Sequence, residues 1–239
     1  MDKMDYKKVC KDIYVPKKTP TVIDIPEMLY IQVEGSGNPN TSEEYKKSIE
    51  ILYGLSFGIK MGLKFGSIPQ TFILEKWFPQ DYMDALIKGN YVVPPLEGLW
   101  WTDEVAFDGR NVTDKEKFHW ISMIRQPEIV TEEIFQWAKE NLLKKKPFLD
   151  TSSAKLVRYT EGLCCQVMHI GAYDDEPATI ARLDEYILKM GYQQDFGKGR
   201  YHHEIYLGDP RRTAPEKLKT VIRHPIRMNT ENYGEEQPV

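Results

Sequence analysis

Two stretches of the sequence repeat one order of predicted elements, and this duplication constrains the fold more than any other feature. In each stretch, at about residues 26–126 and 160–225, the hydrophobic spacing predicts a strand, a helix and two further strands. Neither unit can bury a whole sheet face alone, so we expect the two to pair about a pseudo-twofold axis. The predicted fold is a single α+β domain of two β-α-β-β modules, with an antiparallel sheet that carries helices on one side and a ligand groove on the other.

Local signals place the first strand and the helix of each module. Residues 28–34 alternate apolar and polar side chains, which predicts a half-buried strand. Thr41, followed three residues later by Glu44, forms a capping box that predicts the start of the next helix. In the second module, the apolar run at 163–170 predicts a buried strand, and Gly191 predicts the end of the helix that follows it.

The segments outside the two modules have a different character. Residues 1–25 contain several lysines and prolines, and we expect them to form an arm that wraps around the domain. The domain itself is predicted at residues 26–227, and residues 228–239 are predicted to be a loose tail. Because the arm is too short for a helix-turn-helix segment, we do not expect a transcription factor that acts alone.

The composition argues against several classes of protein. The formal net charge is −4, whereas a general nucleic-acid-binding protein normally has a basic surplus, so no direct nucleic-acid partner is predicted. No apolar run approaches the roughly 20 residues of a membrane helix, and the charged N-terminus is not typical of a signal peptide. The three cysteines have no metal-binding spacing, which indicates reduced thiols in a cytoplasmic protein. No cofactor is predicted.

One strand, predicted at residues 201–207, carries the most informative side chains. Side chains on a strand alternate between faces, so His202, Glu204 and Tyr206 share one face, while the other face is more apolar. Two interpretations of Glu204 follow. It is either an exposed carboxylate paired with a nearby cation, or it stands in a pocket where it has a function.

The corresponding strand of the first module carries Glu97, Trp100 and Trp101. A rough superposition of the modules places Glu97 at a position related to Glu204, although a shift of one residue would exchange the faces. Exposure of Glu97 to solvent is an equally good interpretation. The two tryptophans must point to opposite faces, so one of them packs in the core, and the sequence does not say which.

A metal site is the weaker interpretation of the histidines. His202 and Glu204 are two residues apart, and His119 and His169 are available elsewhere, so a mononuclear site can be imagined. The histidines are scattered without the spacing of a known metal motif. No metal site is therefore predicted.

Three short motifs occur in the order that a known family shows. They are VPPLEGLWW at residues 93–101, HIGAYDDE at 169–176 and HHEIYLGDPRR at 202–212. Together they resemble the GyrI-like small-molecule-binding family, and most of all its stand-alone bacterial members. The resemblance extends over nearly the whole chain and implies the same duplicated β-α-β-β module.

The resemblance also implies a function. Some members are fused to helix-turn-helix domains and bind drug-like effectors in an aromatic pocket around a buried glutamate, which matches Glu204. Some stand-alone members hydrolyse the cyclopropane ring of DNA-alkylating cyclopropanoid compounds and so protect the cell. We therefore expect Glu204 to be a catalytic base whose pKa is raised by an apolar pocket. The ligand would be a hydrophobic or aromatic small molecule, and the residues expected to bind it are Trp100, Trp101, Trp120, Tyr173, His202, Tyr206 and Glu97.

One residue of this set, either Tyr206, Tyr173 or His202, is expected to donate a hydrogen bond to the oxyanion that develops on the substrate. The tryptophans would stack on the ligand. For Tyr173 the alternative is a tyrosine that merely packs a turn. For the whole protein, the alternatives are a non-catalytic module that sequesters drugs or senses an effector for a partner, and, less favoured, an inhibitor of DNA gyrase.

Overall fold

The computed structural model describes residues 3–72, 80–103, 107, 109–110 and 114–229. Within these residues the strands are β1 (Thr21–Ile25), β2 (Met28–Ser36), β3 (Leu96–Trp101), β4 (His119–Arg125), β5 (Lys155–Tyr159), β6 (Gly162–Ile170), β7 (Tyr192–Gln194), β8 (His202–Tyr206) and β9 (Lys219–Met228). The α-helices are α1 (Tyr6–Val9), α2 (Lys11–Tyr14), α3 (Glu43–Lys64), α4 (Gln80–Ile87), α5 (Glu132–Lys145) and α6 (Glu176–Lys189).

The described strands form one antiparallel sheet with the order β1-β6-β9-β8-β3-β4-β2-β5, and β7 pairs with β9. The first module is β2-α3-β3-β4 and the second is β6-α6-β8-β9, which confirms the predicted duplication. The modules meet where β3 pairs with β8. Outward from that seam, each module presents its second, third and first strand in the same sequence, as expected for a pseudo-twofold axis between β3 and β8.

The long helix of each module lies on the same face of the sheet, which we call the helix face. Helix α3 buries Leu52 and Leu55 in a cluster with Ile31 of β2. Helix α6 packs in a second cluster with Val167 and Ile222. The apolar stripe of each helix explains this arrangement, because each stripe can be removed from water only against a sheet face. The expectation of helices on one side is thus confirmed.

The N-terminal arm covers the middle of the opposite face, which we call the arm face. Tyr6 and Tyr14 are buried there against Ile205 and Val221. The carbonyl oxygen of Lys17 accepts a hydrogen bond from the backbone of β6. The groove around Glu204 was expected on this helix-free side. That expectation was wrong, since the arm fills the centre of this face and Glu204 lies on the helix face.

An open cleft of about 520 Å³ remains on the arm face beside the arm. Leu99, Trp101, Tyr159 and Tyr201 are among the residues that line it. Glu204 does not line this cleft, because its side chain lies on the other face of the sheet.

Two element ends differ from the expected positions. Helix α3 is capped by Ser42, whose hydroxyl accepts a hydrogen bond from the backbone N–H of Tyr45 at 3.2 Å, so the predicted Thr41 cap is one residue early. Strand β9 continues to Met228, and most of the predicted tail, residues 230–239, lies outside the described residues. No helix in the part of the chain described here is long and apolar enough to span a membrane.

Candidate functional site around Glu204

The pairing of β3 with β8 places Glu204 at the seam between the modules, directly opposite Gly98. The missing side chain of Gly98 leaves space that its neighbours use. A Cβ atom at this position would lie 2.6 Å from the Nε1 of Trp100 and 3.2 Å from the hydroxyl of Tyr206. Because Gly98 has no side chain, Trp100 and Tyr206 can contact each other above it, beside Glu204.

Hydrogen bonds hold the carboxylate of Glu204 in place. The hydroxyl of Tyr206 donates to Oε2 at 2.7 Å, and the Nε2 of His202 lies 2.9 Å from Oε1. The Nε1 of Trp100 donates in turn to the hydroxyl of Tyr206 at 3.1 Å. The side chain of Glu204 keeps 15% of its surface exposed, so it is held firmly yet remains within reach of a ligand.

The pKa of Glu204 is lowered, contrary to the expectation of a raised value. Burial acts to raise this pKa, but the hydrogen bond and charge of His202 outweigh it, with further help from Tyr206 and Glu176. The surroundings of this carboxylate, which were expected to be apolar, instead place His202 and Tyr206 in hydrogen-bond contact with it. Glu204 is therefore an ionised carboxylate at neutral pH.

The raised pKa belongs to a neighbouring residue, Glu176, the first residue of α6. Burial raises its pKa well above the ordinary value, and the charge of Glu204 raises it further. Glu176 is only 5% exposed. Two adjacent carboxyls without a cation between them cannot both ionise easily, so Glu176 holds a proton beside the ionised Glu204. No local pattern marks this role, because an acidic residue in the first turn of a helix is common.

Several polar atoms on the helix face have no hydrogen bond within the described residues. They are the Oε1 of Glu176, the hydroxyls of Ser122 and Thr220, and the Nε1 of Trp120. All four side chains lie on the face that carries Glu204, and all are buried. Because such groups are costly unless something satisfies them, this concentration indicates a place where a polar part of a ligand, or water, binds.

Aromatic rings surround this polar centre. The ring of Tyr45 lies 5.0 Å from that of Trp120 and 5.8 Å from that of Trp100, while Tyr173 meets Tyr206 edge-on at 5.8 Å. Trp120 is fully buried, whereas Tyr173 is 36% exposed. The structure thus brings six of the predicted residues to the helix face, namely Glu204, His202, Tyr206, Trp100, Trp120 and Tyr173.

The two other predicted residues, Glu97 and Trp101, lie on the arm face. Trp101 stacks on Tyr201 at 4.2 Å between ring centres. Glu97 is fully buried and accepts hydrogen bonds from Tyr14 and Tyr30. The superposition that related Glu97 to Glu204 does not hold, because Glu97 pairs with Ile205 and so lies on the face opposite to Glu204.

The potential metal ligands in the described part of the chain do not cluster into a binding site. Among the described residues, no group of three or more histidine, cysteine, aspartate or glutamate side chains is arranged to hold a metal ion. His169 is occupied by the hydroxyl of Thr179 at 2.9 Å and the carbonyl oxygen of Ala172 at 3.0 Å. Of the four residues in the metal alternative, His202 and Glu204 contact each other, whereas His119 and His169 have separate surroundings.

The fold and the acidic, aromatic site define a small-molecule-binding domain, and comparison with known proteins agrees. The model of the GyrI-like small molecule binding domain matches residues 18–227. The chain therefore belongs to the GyrI-like small-molecule-binding family.

Solved structures from Listeria innocua are similar over most of the chain. An uncharacterized conserved protein is 42% identical, covers 94% of this chain and 100% of its own, and has a TM-score of 0.80. A protein described as a hydrolase is 40% identical with the same coverage and a TM-score of 0.77. A hydrolase encoded by lin2189 is also 40% identical, covers 95% of this chain and 100% of its own, and has a TM-score of 0.76. No curated protein matches the chain.

Proposed function

We propose that the chain is a hydrolase that opens strained, electrophilic small molecules, cyclopropanoid compounds among them, with water activated by Glu204, and that it protects the cell in this way. The observation that carries the proposal is the pair of carboxyls at the module seam. Glu204 is ionised and can accept a proton, whereas Glu176 holds one and can donate it. Carboxyls whose surroundings push their pKa values apart are typical of acid–base catalysis.

The reaction balances with these two groups alone. A water oxygen bonds to the CH₂ of a cyclopropane conjugated to a carbonyl, the ring C–C bond breaks, and its electron pair moves to the carbonyl oxygen. Glu204 accepts the proton that the water loses, and Glu176 gives its proton to the carbonyl oxygen. The proton on Glu204 then returns to Glu176, so both carboxyls end as they began.

The aromatic rings near Glu204 favour a flat substrate in this proposal. Trp100, Tyr45 and Tyr173 offer ring faces and edges around Glu204, and such rings pack well against a planar ligand. Of the donors expected from the sequence, the hydroxyl of Tyr206 is engaged with Glu204 itself. Glu176 and Tyr173 are therefore the groups that we assign to the developing oxyanion.

Two similar Listeria proteins that are described as hydrolases support the catalytic proposal. The description of the family as a small-molecule-binding domain favours a second candidate, a non-catalytic module that sequesters or senses its ligand. The two candidates differ in whether the protein changes the ligand.

The test is turnover of the simplest spiro-cyclopropyl cyclohexadienone in oxygen-18 water. We expect the dienone absorbance to fall with time and one labelled oxygen to appear in the product alcohol. Glu204→Gln should lower kcat/KM by roughly 100- to 10,000-fold while binding is retained, as expected for loss of a general base.

The control is Glu34→Gln, which changes a carboxylate at the cleft of the arm face. This variant should react at the wild-type rate. Equal turnover by wild type and Glu204→Gln would contradict the assigned base. Binding without turnover by any of the three proteins would establish the non-catalytic candidate instead.

A further inference from the structure

Glu204 stands at one end of a line of polar side chains that crosses the second module. The Nε2 of His202 lies 2.9 Å from Glu204, and the Nδ1 of His202 lies 2.9 Å from the Nε2 of His224 on β9. The Nδ1 of His224 lies 3.2 Å from Oδ1 of Asp184 on α6. Beyond His224, Arg110 pairs with Oδ2 of Asp184 at 2.8 Å.

The middle of this line is sealed by packing. His202 and His224 are both fully buried. The ring of Phe107 meets His202 edge-on at 5.3 Å, and that of Phe196 meets His224 at 5.1 Å. A Cβ atom at Gly109 would lie 2.5 Å from the Cε1 of His202, so the chain approaches the ring closely there. The ring nitrogens therefore bond to one another and to the two carboxyls.

The three contacts of the line fix the number of its protons. Each contact joins two atoms that can both accept, so each needs one proton between them. Two neutral imidazoles bring only two protons. The third proton gives the line one positive charge, wherever it resides at a given moment.

One neighbour, Gln194, offers an alternative that the geometry disfavours. Its amide nitrogen lies 3.4 Å from the Nδ1 of His224, which would suit an unprotonated nitrogen. The same amide donates to Asp184 at the much shorter distance of 2.6 Å. An unprotonated Nδ1 would also leave two acceptors facing each other at 3.2 Å. A proton between His224 and Asp184 removes this repulsion between acceptors.

We infer that His202 and His224 share a stored proton which, together with Arg110, cancels the charges of Glu204 and Asp184, and that the site therefore selects neutral ligands over cationic ones. The inference rests on the proposed function only in placing the ligand beside Glu204. A cation would enter a buried site whose carboxylate is already compensated, and burying an unpaired charge is costly. His224 and Asp184 are thus positioning residues, since they act on the ligand through His202 and Glu204.

The first test counts ring protons by NMR of protein labelled with nitrogen-15 in histidine, with His224→Gln and His202→Gln used for assignment. We expect protons on both nitrogens of one ring and one on the other, or their fast average, which makes three on four nitrogens. Two protonated nitrogens, together with an ionised Glu204, would overturn the inference whatever ligand binding shows.

The second test compares two naphthol probes that differ only in a tert-butyl or a trimethylammonium substituent. The neutral probe should bind wild type more tightly. His224→Gln keeps a donor and an acceptor but removes the stored charge, so the neutral-to-cation affinity ratio should fall by roughly tenfold, the factor that corresponds to about 1.4 kcal/mol. An unchanged ratio would overturn the inferred ligand preference.

The control is His119→Gln, which removes a histidine that stacks on Trp101 and pairs with Asp103, away from the line. Its affinity ratio should equal that of wild type. These outcomes are separate from turnover. If no cyclopropanoid is hydrolysed but the nitrogen count is three, the proposed reaction fails and the stored proton stands.

Discussion

The strand pair β3–β8 carries one buried acidic cluster on each face, and the two clusters differ in how their polar atoms are paired. On the arm face, Glu97 accepts hydrogen bonds from Tyr14 at 3.2 Å and Tyr30 at 3.3 Å, and lies 3.1 Å from the Nε2 of His203. On that face the acid meets a donor in every direction that the structure describes.

The arm-face network continues through two more charged residues. Glu161 lies 3.0 Å from the Nδ1 of His203 and accepts from Arg223 at 2.9 Å. Arg223 also donates to Gln166 and to the backbone oxygen of Ile13 in the arm. The two carboxylates thus face two cationic groups, and the network ties the arm to the sheet.

The helix face has the opposite character. Glu204 is held by Tyr206 and His202, but Oε1 of Glu176 and the hydroxyl of Thr220 beside it have no hydrogen bond within the described residues. A buried network in which every carboxylate is paired with donors or cations has the features of a structural element. A buried acid among incompletely paired neighbours has those of a binding site. This contrast is why we assign function to Glu204 and structure to Glu97.

The largest effect on stability should come from breaking the arm-face network. Arg223→Met leaves Glu161 buried without its arginine, and removal of one partner of such a pair typically costs about 3–5 kcal/mol. We expect the free energy of unfolding in urea to fall by this amount. Arg211→Met, in an exposed pair with Asp209, is the control and should change it by less than about 1 kcal/mol. Equal effects of the two substitutions would show that the buried arm-face network contributes no more stability than an exposed ion pair.

The same network should make stability depend on pH. Despite burial, which acts to raise it, the charges of His203 and Arg223 lower the pKa of Glu161 to about 2. A lowered folded-state pKa contributes stability that is present above the unfolded value of roughly 4.3 and is lost as the pH falls towards 2, on the order of 3 kcal/mol in all.

His203 should make the stability change with pH in the opposite direction. Burial acts to lower the pKa of His203, but Glu161 and Glu97 raise it overall. Its contribution is complete below the unfolded pKa of roughly 6.5 and is lost as the pH rises through the folded value. The urea midpoint should therefore peak between about pH 5 and 6.5. In Glu161→Gln both limbs should flatten, and a wild-type profile without them would contradict this pairing.

A smaller effect should follow on the helix face from Tyr206→Phe. The substitution removes the donor to Glu204 and the acceptor of Trp100, and loss of such a hydrogen bond costs about 1 kcal/mol. Because the hydroxyl lowers the pKa of Glu204, its removal should raise that pKa, as measured by carbon-13 NMR of the carboxyl. Tyr173→Phe is the matched control, and an equal rise there would show that the 2.7 Å bond has no special role.

Much of this architecture follows from local sequence signals. The alternation along β2 and β8 and the helical spacing of α3 and α6 predicted the two modules, and the alternation also grouped His202, Glu204 and Tyr206. These signals are local, so they do not depend on how strands pair. The same alternation separated Trp100 from Trp101 without saying which face each would take.

The features that the sequence did not predict depend on contacts between residues that are far apart in the chain. Glu97 was placed at a position related to Glu204 because the register of the two modules cannot be read from either strand alone, and a shift of one residue exchanges the faces. His224 and Asp184 reach the site from β9 and α6, and no local pattern marks them. The groove was expected on the wrong side because the sequence did not show that the arm would cover it.

The most direct test of the central claim is carbon-13 NMR of protein labelled at the glutamate carboxyls, recorded with and without the neutral naphthol probe. Glutamine substitutions assign the half-buried carboxyl of Glu204 and the three buried carboxyls of Glu176, Glu97 and Glu161. If ligands bind at the helix face, the signals of Glu204 and Glu176 shift on addition of the probe while those of Glu97 and Glu161 stay in place. Shifts of Glu97 or Glu161 without any change at Glu204 would contradict the account.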